Sequence, residues 1–454
     1  MKDDPDRLHV TDRLCARQRR ESIAGYLGGL EVGVVILASP LLLFPTIRPA
    51  WTAAALVALL LVWLARWAAT GHPVTVTPLN ISLLLLLAMV PVAVWVSALP
   101  ELTLPKLTGL VLGVAAFRAT VHTVRKTQHL TVAAALYLAL GLTMAAVGLL
   151  SVTWPRKWPL LDPLLGRIPH LLVGLPGAEA GINPNELAGA LLLFLPIALV
   201  WPGIRGSRQG WPDTLLRLVI LSSIPFFGAL LVLSQSRSAW IGTVAGLGAM
   251  AWIRWPRLRW LMVIAALLSG LGLWYAGPRS ALAALFPAAT GSEGQMVSTV
   301  TLEGRMEIWN RALYAIQDFA FTGCGLGTFR RVIWVLYPPF LISPNFDLGH
   351  AHNIFLQVAL DLGLPGLVAY LGLTGTALWI GWQVARSTDC SSRWLGLGIV
   401  GALVAFHVYG LTDAIALGAR PGLAFWILLA LVAALWDRTR DLAQPAGHPE
   451  PEGT

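Results

Sequence analysis

The sequence predicts an all-α, polytopic membrane protein, and three observations carry that. Hydrophobic residues make up 56% of the 454-residue chain and charged residues only 12%, against roughly a quarter charged in an average soluble domain. Mean hydropathy is +0.69. Apolar runs of about 20 residues recur along the whole chain, each long enough to cross a hydrocarbon core about 30 Å thick. Lipid offers no hydrogen-bond partner to exposed backbone, so a chain that crosses this often does so as helices.

Twelve spans are expected, at 23–46, 50–69, 79–98, 103–120, 130–150, 185–202, 215–233, 238–253, 258–276, 364–384, 395–415 and 420–436. The fourth and eighth read as short or interrupted. The first 22 residues are too polar, and the first apolar run too long, for a cleavable signal peptide. An even number of spans puts both termini on one side. Of the 32 basic residues, 20 fall in short segments on that side: Lys2, Arg7, Arg13, Arg17, Arg19, Arg20, Arg66, Arg118, Arg125, Lys126, Arg205, Arg208, Arg217, Arg254, Arg257, Arg259, Arg386, Arg393, Arg438 and Arg440. That bias makes both termini cytoplasmic and explains most of the net charge of +9 as topology. Basic residues scattered over many loops do not make a nucleic-acid surface.

The expected organisation is a cytoplasmic tail (1–22), five spans within 23–150, an outer loop (151–184), four spans within 185–276, a large outer loop (277–353), a re-entry helix with three spans within 354–436, and a cytoplasmic tail (437–454). The first outer loop carries six prolines, from Pro155 to Pro184, and is expected to be irregular. The second runs to 77 residues, which is too long for a structureless connection without a function. It opens with a small-residue stretch, Ala288–Gly294. It then turns helical from Gly304 to Phe319, with Arg305, Trp309, Leu313 and Ile316 on one face and Glu307 and Arg311 on another. Gly323, Gly325 and Gly327 close that helix in a tight turn. The end Gln444–Thr454, rich in Pro, Gly and Glu, is expected to be disordered. Cys15 and Cys390 fall on one side and Cys324 on the other, so no disulfide joins across the bilayer and Cys324 is expected to be a buried small hydrophobe. No Cys/His metal-ligand spacing is recognised.

Charged groups near the membrane are functional candidates because burying them is costly. Four sites share the outer face: Asn183-Pro184-Asn185-Glu186, Ser234-Gln235-Ser236-Arg237-Ser238, Gly304-Arg305 with Glu307 and Trp309, and His352-Asn353. Arginine donates two parallel, charge-assisted hydrogen bonds to phosphate. Two arginines can clamp a diphosphate and stabilise the charge that develops as it leaves. Histidine, with an ordinary pKa of about 6.5, can take a proton from a hydroxyl. That set fits glycosyl transfer from a lipid diphosphate to a hydroxyl, with no nucleotide, cofactor or metal. Plainer roles fit each residue singly. Arg237 suits lipid headgroups, Arg305 a solvated helix face, the histidine a cap or packing position, and Asn185 a cap of the sixth span. Gly363 and Gly366, with Pro365, suit a bend after a short surface helix at 353–361. Glu31, Asp361 and Asp413 suit either proton relay in a transporter or pairing with nearby cations. A transporter would also need a series of charges at the midplane and inverted repeats; Glu31 and His407 are the midplane candidates and form no series.

The ordered motifs together resemble the O-antigen ligase / O-antigen polymerase family of bacterial membrane glycosyltransferases. Gly181-Ile182-Asn183-Pro184-Asn185-Glu186-Leu187-Ala188 is similar to that family's Asn-Pro-Asn opening of a span, and Ser236-Arg237-Ser238-Ala239-Trp240 to its Ser-Arg turn. Gly304-Arg305 through Trp309, then Gly323-x-Gly-x-Gly-x-Phe329, is similar to its loop helix and glycine turn. His352-Asn353-Ile354-Phe355-Leu356-Gln357, continuing to Gly363 and Gly366, is similar to its ligase-type histidine motif. The likeness covers about 180–380. It departs at Asp361, where Glu is usual, and at Ala320-Phe321, where a proline-containing pair is common.

The resemblance implies a GT-C-like, inverting, metal-independent enzyme of the bacterial inner membrane, working on the periplasmic face. Arg237 and Arg305 would bind the undecaprenyl diphosphate of a glycan donor. His352 would be the general base, and Asn185, Asn353 and Glu307 would support them. The acceptor would be lipid A-core or another glycan or lipid. Within the family, polymerases join repeat units, protein-glycosylating members use Ser or Thr and usually carry further C-terminal material, and some relatives have been labelled bicarbonate transporters. The spacing from His352 to Gly366 favours a ligase.

Overall fold

The computed structural model describes residues 25–124, 127–174, 181–205, 211–277 and 302–443. The N-terminal tail with Cys15, the Ala288–Gly294 stretch and the Gln444–Thr454 end lie outside the described residues. Among those residues the chain is helical, without strands. In chain order the helices are α1 (Gly25–Leu43), α2 (Pro49–Thr70), α3 (Asn80–Trp95), α4 (Pro100–Thr123), α5 (Thr127–Ser151), α6 (Asp162–Leu165), α7 (Pro184–Arg205), α8 (Trp211–Leu233), α9 (Arg237–Arg254), α10 (Leu258–Ala276), α11 (Leu302–Asp318), α12 (Phe329–Leu336), α13 (Ile354–Ala385), α14 (Cys390–Tyr409) and α15 (Leu423–Ala443).

Ten helices among the described residues are long and apolar enough to cross a membrane, so this is a multi-pass membrane protein. The two remaining helices expected as spans are α3, of 16 residues, and α9, of 18. The fourth span, expected to be short, is instead the 24-residue α4. Pro105 lies inside this helix without ending it, as membrane helices tolerate where neighbours re-satisfy the freed carbonyl.

Burial sorts the helices. α14 packs most extensively on α7 and α9, α13 on α3 and α14, and α15 on α4. Small residues let α9 approach α14: a Cβ added at Gly242 or Gly246 would lie 2.5 Å from the carbonyl oxygen of Ala405 or Gly401. Close approach of this kind drives helix association in lipid, where hydrophobicity alone does not. α10 is the opposite case, with no buried residue and Trp260, Leu267 and Trp274 exposed, the pattern of a lipid-facing helix.

The two residues expected at the midplane both have partners within the bundle. The fully buried Glu31 pairs with Arg66 at 3.1 Å and Arg118 at 3.0 Å. His407 is held by Tyr370 Oη at 2.8 Å and the Leu403 carbonyl at 2.7 Å.

The two ends of the bundle differ. At one end the Glu31 ion pairs tie α1, α2 and α4 together. At the other, the loop segments 96–99, 152–174, 234–236, 319–353 and 410–422 bond to one another or to the helix ends beside them, as between Thr103 and Leu326, Lys157 and Gln235, and Asn353 and Leu411. α11 and α12 lie at this second end. The buried stripe of α11 is Arg305, Ile308, Ala312 and Ala315, whereas Leu313 is 49% exposed. The expected face was therefore one position out, because small alanines carry the contact where the larger leucine was expected to.

Candidate active site

The start of α13 sets the histidine. Asn353 is its N-cap, with Oδ1 accepting from the Phe355 and Leu356 amides at 2.9 and 3.1 Å and Nδ2 donating to the Leu411 carbonyl at 3.0 Å. The preceding residue, His352, sits at φ 50°, a conformation that side-chain-bearing residues adopt rarely and that clusters at functional sites. The His352 carbonyl accepts from the Trp309 indole of α11 at 3.3 Å, and its amide donates to His350 Nδ1 at 3.1 Å. Farther along, the backbone of α13 breaks at Gly363 (φ 71°, ψ 178°). Gly363 and Gly323 pack backbone to backbone: a Cβ at Gly363 would lie 2.0 Å from the Phe321 carbonyl oxygen, and one at Gly323 2.6 Å from that of Leu360. The glycine turn is thus docked on the bend of the histidine helix, with the buried Cys324 donating its amide to Leu360.

Asp413, one of three acids the sequence left open between proton relay and pairing with cations, sits among basic groups. It lies in the loop after α14, is 1% exposed, and faces two imidazoles. Its Oδ1 is 3.4 Å from His352 Nδ1 and 3.6 Å from His350 Nε2, and the two rings meet edge-on at 4.4 Å. Neither His352 Nδ1 nor Asp413 Oδ2 completes a hydrogen bond among the described residues. Burial by itself would raise the Asp413 pKa, but His352, His350 and the Arg305 guanidinium outweigh it and hold the carboxyl well below the usual range. His350 is pushed down to about 3, first by burial and then by His352, against the pull of Asp413. At neutral pH the pair is therefore a carboxylate beside a neutral His350. Because His350 Nδ1 accepts a backbone N–H, its proton sits on Nε2, toward Asp413. If His352 presents Nδ1–H to the same carboxylate, its Nε2 is left as a base.

Thr412, next in the chain to Asp413, gathers the arginines. Its carbonyl accepts from Arg305 Nη1, and its hydroxyl donates to Ser238 Oγ at 2.8 Å, one residue from Arg237. Arg305 is 5% exposed on α11, whereas Arg237 is exposed at the first turn of α9. A third cation, Lys157, joins them. Gln235, at φ 49°, accepts the Lys157 amide at 2.9 Å and donates to the Pro155 carbonyl at 2.6 Å. Trp158 packs on Trp240 with ring centroids 4.8 Å apart. Burial, and then the charges of Arg237 and Arg305, push the Lys157 ammonium below its ordinary range. Three cations within electrostatic reach of one another form a site suited to an anion.

The supporting residues separate. Asn353 and Asn185 adjoin the set; Asn183, rather than Asn185, offers the capping oxygen to the start of α7, while the Asn185 carbonyl accepts from Tyr409 Oη at 2.9 Å. Glu307 is engaged elsewhere: its carboxylate accepts from the Phe340 and Leu341 amides at 2.5 and 2.8 Å and lies 3.7 Å from Arg311, pinning the loop after α12 to α11. His350, His352 and Asp413 each offer one ligand atom, all within 4.8 Å of one another. This cluster could hold a metal ion, a possibility missed because the His-x-His pair lacks its third ligand until Asp413 arrives from 61 residues away.

A family model described as O-antigen ligase matches residues 218–371, a stretch that contains Arg237, Arg305 and His352 but not Lys157, Glu186 or Asp413. No curated protein matches the chain.

Proposed function

We propose that this member of the O-antigen ligase family, a membrane glycosyltransferase, moves a glycan from undecaprenyl diphosphate to an acceptor hydroxyl on the periplasmic side of the inner membrane. The observation that carries the reading is the Thr412–Asp413 pair. One loop dipeptide bonds Arg305, reaches the turn that bears Arg237 and faces His352.

In this reading His352 Nε2 takes the proton of the acceptor hydroxyl. The oxygen attacks the anomeric carbon as the bond from that carbon to the phosphate oxygen breaks, and the configuration inverts. Undecaprenyl diphosphate leaves with its charge held by Arg237, Arg305 and Lys157. Asp413, held ionised, stabilises the imidazolium that forms and fixes its orientation. The chemistry requires no metal, so chelation should leave the rate unchanged, and a rate lost to chelation would sink the general-base role. Both termini are then cytoplasmic, as the basic residues indicate.

Incubating the purified full-length protein in nanodiscs with an undecaprenyl-diphosphate glycan and a lipid A-core acceptor tests the reading. Chain transferred whole to lipid A-core supports a ligase. Lipid-linked chain that only lengthens makes it a polymerase of the same family. No change in either substrate refutes glycosyl transfer.

A further inference from the structure

Beside the histidines lies an open, polar cavity of about 260 Å³ lined by Glu101, Lys106, Glu186, Arg330, Gly349 and Arg420, among others. Glu101 and Glu186 lie in the first turns of α4 and α7. Arg330 is the second residue of α12, and Arg420 opens the turn leading into α15. Helix starts present unpaired N–H groups and the positive end of the backbone dipole, which adds to three side-chain cations against two carboxylates.

The cations are not equivalent. Arg330 is engaged by Asp347. Arg420 stacks on Phe44 at 4.1 Å and donates to the Leu43 carbonyl. The Lys106 ammonium and the Glu186 carboxylate each make no hydrogen bond or ion pair among the described residues, although each lies within electrostatic reach of the other. A cation and a carboxylate that share a cavity wall without closing on one another leave room for a ligand that meets both.

The position relative to the histidines is informative. Gly349 of the wall precedes His350. Glu186 is influenced by Lys106, Asp413 and Arg420, and Lys157 by Arg237 and Arg305. His350 is influenced by both Lys106 and Arg305. The histidine–aspartate cluster therefore joins two cationic sets, one assigned to the donor diphosphate and one without an assigned ligand.

We propose that the second set is the acceptor subsite, and that it selects a saccharide bearing a phosphate or carboxylate, held by Lys106, while Glu186 accepts hydrogen bonds from sugar hydroxyls. The proposal rests on the reading of His352 as the base of glycosyl transfer, because it gives the adjoining cavity its occupant.

Binding to the full-length protein in nanodiscs tests it, with lipid A-core as the probe in three forms: intact, phosphatase-treated, and with its carboxyls reduced to alcohols. The intact form should bind about tenfold tighter than the form that has lost the recognised anion, the worth of one charge-assisted hydrogen bond. The form that weakens identifies phosphate or carboxylate as the group. Lys106→Gln should erase the difference and leave binding of the undecaprenyl-diphosphate glycan unchanged, and Lys106→Arg should preserve it. Equal binding of all three forms to the wild type overturns the proposal, as does a Lys106→Gln loss shared equally by donor and acceptor. Should Lys106→Gln not fold, the three wild-type measurements still decide. Anion preference without any transfer refutes only the transferase reading; transfer without anion preference refutes only this one.

Discussion

Glu31 and Asp413 are both buried carboxylates flanked by basic side chains, at opposite ends of the same helix bundle. Glu31 is closed by two arginines at 3.0 and 3.1 Å, and each of its oxygens has a partner. Asp413 faces two imidazoles at 3.4 and 3.6 Å and keeps one oxygen without a hydrogen-bond partner. The first arrangement spends its charges on holding α1, α2 and α4 together. The second leaves them available to a reaction. Burial of a charge therefore does not identify a site; incomplete pairing next to other incompletely paired groups does. Lys157, Arg237 and Arg305 bring further positive charge to the same end of the bundle.

Substitutions should separate the two ends. Asp413→Asn is expected to lower the transfer rate by about a thousandfold, within the usual range for losing a general-base arrangement, while the melting temperature stays close to wild type. A rate within a few-fold of wild type would remove Asp413 from the mechanism. Glu31→Gln is expected to do the reverse. It leaves two arginines without their counter-charge and should destabilise by about 3 kcal/mol, measured by thermal unfolding in detergent, with the turnover of the folded fraction unchanged. A turnover defect there would mean that the two ends are coupled.

Smaller effects sharpen the outer end. Lys157→Gln should raise the donor KM about tenfold, the worth of one charged hydrogen bond to phosphate, and leave the acceptor KM alone; an acceptor effect would place Lys157 on the wrong side of the histidines. The smallest effect is a pH dependence. The His350 pKa falls from its ordinary 6.5 to about 3 on folding. Between those values the unfolded chain binds more protons, so stability drops as pH falls below about 6.5. Melting temperature recorded from pH 7 to pH 5 should decline, and His350→Gln should flatten the decline. An unchanged slope would mean that His350 is not held neutral.

Much of the architecture was legible because a membrane span is a long, one-dimensional signal. Spans such as α7, α10 and α15 stand out by apolar length alone. Arg237, Arg305 and His352 were legible as residue types in local motifs. Asp413 was legible only as one of three acids suited to proton relay or to pairing with cations, because His352 and Arg305 lie 61 and 108 residues away in the chain. Lys157 was hidden in the same way, in a proline-rich segment whose only cue is a pairing with Gln235 across 78 residues. Glu307 shows the converse, since helical proximity to Arg305 suggested a shared site while its carboxylate turns to the backbone of the next loop.

The most direct test of the central claim is the rate of glycan transfer by His352→Ala at saturating donor and acceptor, in a variant whose melting temperature matches the wild type. The rate should fall by about a thousandfold or more, as expected for a lost general base, while binding of the undecaprenyl-diphosphate glycan is retained. Transfer at the wild-type rate by that folded variant would contradict the account.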